Sequence, residues 1–273
     1  MPEVAPADAG YDSLRKLPVP ELRALIRANG YQGHTAGLAA GRLQTNLAIM
    51  PERHALDFMR FCQRNPKPCP LVGVTDTGDP MMRTLGDIDI RTDVPAYNVY
   101  RDGELVDTVA DLTGLWRDDW VAFALGCSFT FEHALMAAGI PLRHIERNQT
   151  VAMYRTTRPT VKAGPFEGGM VVSMRPIRED DVERAWQISA RYPLAHGAPV
   201  HVGDPAGIGI ASLARPDWGD PPELLAGEVP MFWACGVTPQ NAIRHARLPL
   251  VVTHQPGRML ITDVAEDAEV PVI

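Results

Sequence analysis

In the stretch GCSFTFE, residues 126–132, a thiol and a hydroxyl, Cys127 and Ser128, follow a glycine at the end of an apolar run. Gly126 permits a sharp turn there. Ser128 has the side chain of a helix cap for a helix opening near Phe129, although Glu132 misses the capping-box position by one residue. A helix start aims backbone N–H groups and the positive end of the helix dipole at an anion. Cys127 in that position is expected to have a depressed pKa, which would make it a nucleophile or an acid/base group. A plain cap beside a buried thiol accounts for the same residues equally well.

The pattern occurs twice. In MFWACGVTPQNAI an apolar run leads to Cys235 and Gly236, with Thr238 as the capping side chain and Pro239 as the first helical residue. Parallel strands would present both helix starts on one sheet edge, where each could hold one carboxylate. The densest polar stretch, AHGAPVHVGDPAGIGI, holds His196, His201 and Asp204, which suit proton transfer or a weak metal set. Gly203 in the same loop allows a ligand to approach the backbone closely. The loop lacks the GxGxxG spacing, which excludes a dinucleotide reading. In VTDTGDP, Thr75 and Asp76 form either a plain turn or one that contacts a carboxylate or phosphate. The triplet Asp76-Thr77-Gly78 occurs in aspartic proteases, but there it stands in an all-β setting, so that activity is rejected. Arg175 in SMRPI can pair with a substrate carboxylate or with an acidic neighbour.

Periodicity supplies the elements that must position these residues. Apolar stripes predict helices in VPELRALIRANG, MPERHALDFMRFCQRNP, FTFEHALMAA and DDVERAWQISARYP. Buried strands are predicted at LVGV, WVAFALG, GGMVVSMRPI and VPMFWA, and hairpins around Asp102-Gly103 and Pro256-Gly257. Helices and strands alternate, so the expected fold class is α/β: a three-layer α/β/α domain with a smaller inserted α+β two-layer domain. The larger part takes residues 1–85, 115–140 and 195–273, and the smaller takes 86–114 and 141–194.

The totals exclude several classes. A net charge of −7 argues against binding to nucleic acid. No segment approaches the ~20 apolar residues that span a bilayer, and the N-terminal stretch has no leader pattern, so a cytoplasmic protein without membrane contact is expected. The four cysteines have no CxxC spacing. No cofactor is expected, and a divalent metal and self-association into a homo-oligomer are both left open.

Taken together, LVGVTDTGDP, TDVPAYNVYRDG, GCSFTFE, MYRT, MVVSMRPI, HGAPVHVGDP and VPMFWACGVTPQ resemble the D-glutamate cyclase family, in order from about Pro20 to Asp263. Thr77, Thr130 and the stretch RNQTVAMYRT depart from the usual family pattern. The resemblance implies a lyase that removes water (a carbon–oxygen hydro-lyase of amino-acid metabolism). The family's named activity turns D-glutamate into 5-oxo-D-proline. The amine attacks the γ-carboxyl carbon and water leaves, so the expected partner is a small carboxylate or amino acid.

On chemical grounds, backbone N–H groups near Cys127 and Ser128 would stabilise the oxyanion. His201 or Asp204 would be the base, and His196 the acid that assists water departure. Substrate contacts are expected from Thr75, Asp76, Gly126, Arg175, Gly203, Cys235, Gly236 and Thr238. The alternatives are dehydration of another small hydroxy or amino acid, and a carboxylate-binding protein without turnover.

Overall fold

The computed structural model describes residues 10–268. The chain opens with a short helical turn, α1 (Tyr11–Leu14), and a helix, α2 (Val19–Arg27), then enters strand β1 (Arg42–Pro51) and helix α3 (Glu52–Arg64). Strand β2 (Leu71–Val74), the hairpin β3 (Tyr97–Arg101) and β4 (Glu104–Val109), and β5 (Trp120–Gly126) follow. Helix α4 (Phe129–Ala137), the short α5 (Arg143–Glu146), β6 (Ala152–Pro159), β7 (Gly169–Arg178) and α6 (Val182–Ala190) come next. The chain continues through β8 (His201–Val202), β9 (Glu228–Ala234), α7 (Val237–Ala246), β10 (Val251–His254) and β11 (Leu260–Ala265).

Two sheets form. One runs β2-β5-β1-β10-β3-β4, with β11 also on β1, and the other runs β6-β7-β9-β8. Helices and strands mix as expected, but every pairing between these strands is antiparallel. The expectation of parallel strand ends along one edge is therefore corrected. Helix–strand alternation records the order of elements and not which strands pair, and here hairpins and long returns do the pairing. The hairpin β3–β4 belongs to the larger sheet and β6–β7 to the smaller. Segments 86–114 and 141–194 thus contribute to different sheets.

β1 is buried along almost its whole length. Leu47 and Ile49 face one core with Val99, Ala122 and Val252. Ala48 and Met50 face another with Phe58 and Phe61 of α3 and Ile243 of α7. The period of two along the strand makes this division. In the smaller sheet, Val171, Trp233 and Cys235 face α4 and α6, while Val172, Met174 and Phe232 face the loop around Ile208. Among the described residues, no helix is long and apolar enough to cross a membrane.

Candidate active site

The two strand–cysteine–helix junctions are built alike. Cys127 N–H donates to Gln44 O at 2.9 Å, Thr130 N–H donates to Cys127 O at 3.1 Å, and Thr130 Oγ1 accepts from Gln44 N–H at 3.0 Å. In the second junction Cys235 N–H donates to Val171 O at 3.0 Å, Thr238 N–H to Cys235 O at 2.9 Å, and Thr238 Oγ1 accepts from Val171 N–H at 3.0 Å. Each threonine thus ties the first turn of its helix to the neighbouring strand. Thr238 is committed to this clamp rather than to a substrate.

The two junctions also meet. Asn46 Nδ2 donates to Gly126 O at 2.9 Å and to Leu125 O at 3.2 Å. The same carboxamide packs against Gly236 so closely that a Cβ there would overlap it. A Cβ on Gly126 would overlap the carbonyl of Leu194, two residues before His196. Glycine at both turns is therefore required by contact with the chain itself.

Arg175 is the centre of the cluster. Its Nε and Nη2 donate to Glu132 Oε1, its Nη2 also to Ser128 Oγ at 3.0 Å, and its Nη1 to Ser173 Oγ at 3.1 Å. The guanidinium lies 5.2 Å from the Phe131 ring centroid and 5.3 Å from that of Trp233. Alternation along β7 explains the placement. Val171, Ser173, Arg175 and Ile177 point to the face that carries α4, where Glu132 lies one turn after Ser128. Ser128 precedes α4 but makes no capping hydrogen bond. The expected cap is therefore corrected: its hydroxyl is committed to Arg175.

The titrating groups follow from burial. Burial pushes the Cys127 thiol well up, against the opposing N–H of Phe129, and pushes Cys235 up to about 11. The expected depressed thiol at the helix start is overturned, because desolvation outweighs the helix end. Burial also acts to raise the Glu132 pKa, but the charges and hydrogen bonds of His144 and Arg175 outweigh it and leave the carboxyl below its usual value. Glu132 Oε2 has no partner. His196 is buried with its pKa pushed down to about 4 by desolvation, so the ring is neutral at pH 7. Its Nδ1 lies 2.8 Å from Lys67 O. A carbonyl can only accept, so Nδ1 carries the proton and Nε2, which has no partner, presents a lone pair.

The structure thus brings together Gly126, Cys127, Ser128, Arg175, His196, Cys235, Gly236 and Thr238. It sends five others elsewhere. Thr75 exchanges hydrogen bonds with Ala122 of β5, and Asp76 is exposed beside it. His201 packs at a tilt against Phe232, its ring centroid 5.7 Å away, on the sheet face opposite Arg175. Its Nε2 meets Asp204 O at 2.7 Å, Asp204 Oδ1 caps the following turn at Ala206, and Gly203 N–H donates to Pro230 O. That loop is closed on itself. The cause is register: His201 pairs with Phe232, so it sits over that side chain's face.

Sequence reasoning missed Asn46, Glu132, His144 and Ser173. The available signals were a carboxylate inside the apolar helix FTFEHALM and an arginine in phase with the buried residues of MVVSMRPI. Among the described residues no three His, Cys, Asp or Glu side chains are grouped as metal ligands.

Residues 121–263 match the family described as D-glutamate cyclase. The chain belongs to that family. It is 68% identical over 265 residues to a protein of Ruegeria pomeroyi, covering 97% of this chain and 96% of that one. It is 66% identical over 264 residues to one of Dinoroseobacter shibae, covering 96% and 88%. Both are named "Putative hydro-lyase". A solved nitrogen repressor-like protein of Methanococcus jannaschii aligns over 86% of this chain and 96% of its own at 10% identity with a TM-score of 0.37, too little to argue from.

Proposed function

We propose that this protein is a hydro-lyase that closes the amine of a small amino dicarboxylate onto its distal carboxyl with loss of water, as in the conversion of D-glutamate to 5-oxo-D-proline. The observation that carries the reading is the buried His196 Nε2, a neutral, unpartnered base beside the turn that opens α4. The amine must lose its proton before it attacks, and Nε2 offers a free lone pair to take it. The burial that holds the ring pKa at about 4 weakens it as a base until substrate charge is beside it. This role replaces the acid first expected of His196, because a ring with a pKa near 4 holds no imidazolium proton at neutral pH. The backbone N–H groups of Ser128 and Gly236, which the turns at the starts of α4 and α7 leave uncommitted among the described residues, would receive the tetrahedral oxyanion. Arg175, locked by Glu132, Ser128 and Ser173, would fix the spacing between the helices. Burial of that cluster excludes water and strengthens each of these interactions.

The reaction as written uses no cofactor. All four cysteines are free and buried, which supports a reducing compartment, the cytoplasm, for this activity. Incubation with D- and L-amino acids and hydroxy acids, followed by mass spectrometry, tests the reading. Loss of 18 daltons from an amino dicarboxylate supports it. Loss only from hydroxy acids, or binding without turnover, would replace it with one of the two alternatives.

A further inference from the structure

Away from the Arg175 cluster, β3 and β4 of the larger sheet and Met153 of the smaller border a groove of about 500 Å³. Its polar lining includes Asn98, Tyr100, Thr108, Gln255 and Arg244, with one carboxylate, Asp220, whose Oδ2 accepts from Thr150 N–H at 2.7 Å. Arg244 stands in the last turn of α7, eight residues after Gly236, so the helix separates it from the cluster by roughly 12 Å.

Arg244 differs from the chain's other partly buried arginines. Among the half-buried arginines, Arg91 and Arg143 pair with carboxylates and Arg158 and Arg258 donate to the carbonyls of Val200 and Gln32, whereas Arg244 has neither kind of partner among the described residues. Its Nε is buried without a hydrogen-bond partner. A buried donor left without a partner is costly and calls for an explanation. Arg244 also lines an adjoining cavity of about 440 Å³ together with Arg155, His245 and Arg247. Glu104 lines the same cavity, and against that one carboxylate the three arginines are a local concentration of positive charge in a chain of net charge −7.

Basic residues in a last turn complement the helix dipole, and that alone would account for their presence there. It does not account for the neutral groups facing Arg244. Thr108 Oγ1 donates to Asn98 Oδ1 at 3.0 Å, and Asn98 Nδ2 donates to Tyr100 Oη at 3.3 Å. Tyr100 therefore accepts from within the chain, and its own O–H is left to donate into the groove. Arg155 lies 4.8 Å over the Trp218 ring and pairs with Asp217 at 3.3 Å, so the exposed Arg247 is the freer second cation.

We propose that this groove binds a small dicarboxylate, one carboxylate on Arg244 with the Tyr100 hydroxyl and the other towards Arg155 and Arg247. Arg155 and Arg247 share one adjoining cavity with Arg244, so a ligand with a second anionic end reaches further cations that a single compact anion does not. The site is separate from the Arg175 cluster and does not depend on the proposed reaction.

Titrating the full-length protein with glutarate, and in parallel with inorganic phosphate, tests this by calorimetry and tryptophan fluorescence. Saturable glutarate binding is expected, with phosphate at least about 10-fold weaker. Arg244→Gln should weaken glutarate by about 10- to 100-fold, the scale of a lost charged hydrogen bond, with the circular-dichroism spectrum unchanged. Trp218→Phe should abolish the fluorescence change while calorimetric binding persists, and His196→Asn should leave binding as it was. Wild-type affinity in both Arg244→Gln and Arg244→Lys, or loss of binding in His196→Asn alone, would overturn the assignment. Equal affinity for phosphate would overturn the dicarboxylate class. Absence of turnover on every amino acid would defeat the proposed reaction and leave this result standing.

Discussion

Arg175 reaches Glu132 Oε1 through both Nε, at 3.0 Å, and Nη2, at 2.6 Å, with both side chains fully buried. His144 Nε2 approaches the same oxygen at 2.9 Å. Desolvating two charges offsets most of their attraction, so the pair is worth more as a positioning device than as a source of stability. What it positions is α4 against β7, and with them the two helix starts.

Breaking the pair is costly even where forming it is nearly neutral. Glu132→Ala leaves the Arg175 guanidinium buried without its carboxylate and should destabilise the fold by about 3–5 kcal/mol in urea titration. Replacing both partners by apolar residues of similar volume should recover much of that loss. A cost below about 1 kcal/mol for Glu132→Ala would show that the cluster does not hold α4 in place.

The contact between Asn46 and Gly236 gives a coupled prediction. Gly236→Ala forces its methyl group into the Asn46 carboxamide and should cost about 1–3 kcal/mol, the usual scale of overpacking. With Asn46→Ala already present, the added cost of Gly236→Ala should fall below half of its value alone. A double-mutant cycle measures this, and strict additivity would mean that the two turns do not touch.

Much of this was legible in the sequence, for identifiable reasons. The turns at Gly126 and Gly236 announce themselves by composition, and α4 begins at Phe129 as its pattern predicts. β1 was not legible. Its segment GRLQTNLAIMP is buried on both faces, so it shows no alternation, and Gln44, Thr45 and Asn46 interrupt its apolar run. Missing β1 hid both Asn46 and the acceptor at Gln44. His201 misled because a histidine beside glycines looks the same whether it faces a ligand or, as here, the ring of Phe232. Pairing register decides between them, and it is a long-range property.

Acid should destabilise the protein in two separate windows. His196 and His254 both have pKa values pushed down to about 4 by burial, against an ordinary value near 6.5. Between pH 6.5 and 4 the unfolded chain binds these protons and the folded chain does not, so stability falls as pH falls through that range. The full loss is on the order of 3 kcal/mol for each histidine below pH 4. Glu132 acts in the same direction in a lower window: its lowered pKa adds stability above the unfolded carboxylate value near 4.3, and that is lost as pH falls below it. Urea titrations of His196→Asn at pH 7 and pH 5 should show a smaller difference than the parent does. An unchanged difference would mean that His196 titrates normally in the folded state.

The two histidines of AHGAPVHVG should separate cleanly. His196 lies beside the Gly126 turn with an unpartnered Nε2, whereas His201 packs on Phe232 and bonds to the carbonyl of Asp204. In the assay that detects loss of 18 daltons, His196→Asn should lower turnover by about 10²-fold or more, the usual scale for losing a general base. His201→Ala should lower the unfolding midpoint and leave turnover per folded molecule unchanged. Since His196→Asn also removes the bond to Lys67 O, its folded fraction must be measured in the same samples. A folded His196→Asn that turns over at the parent rate would remove this residue from the chemistry. A folded His201→Ala that loses turnover would move the site across the sheet to the Phe232 face.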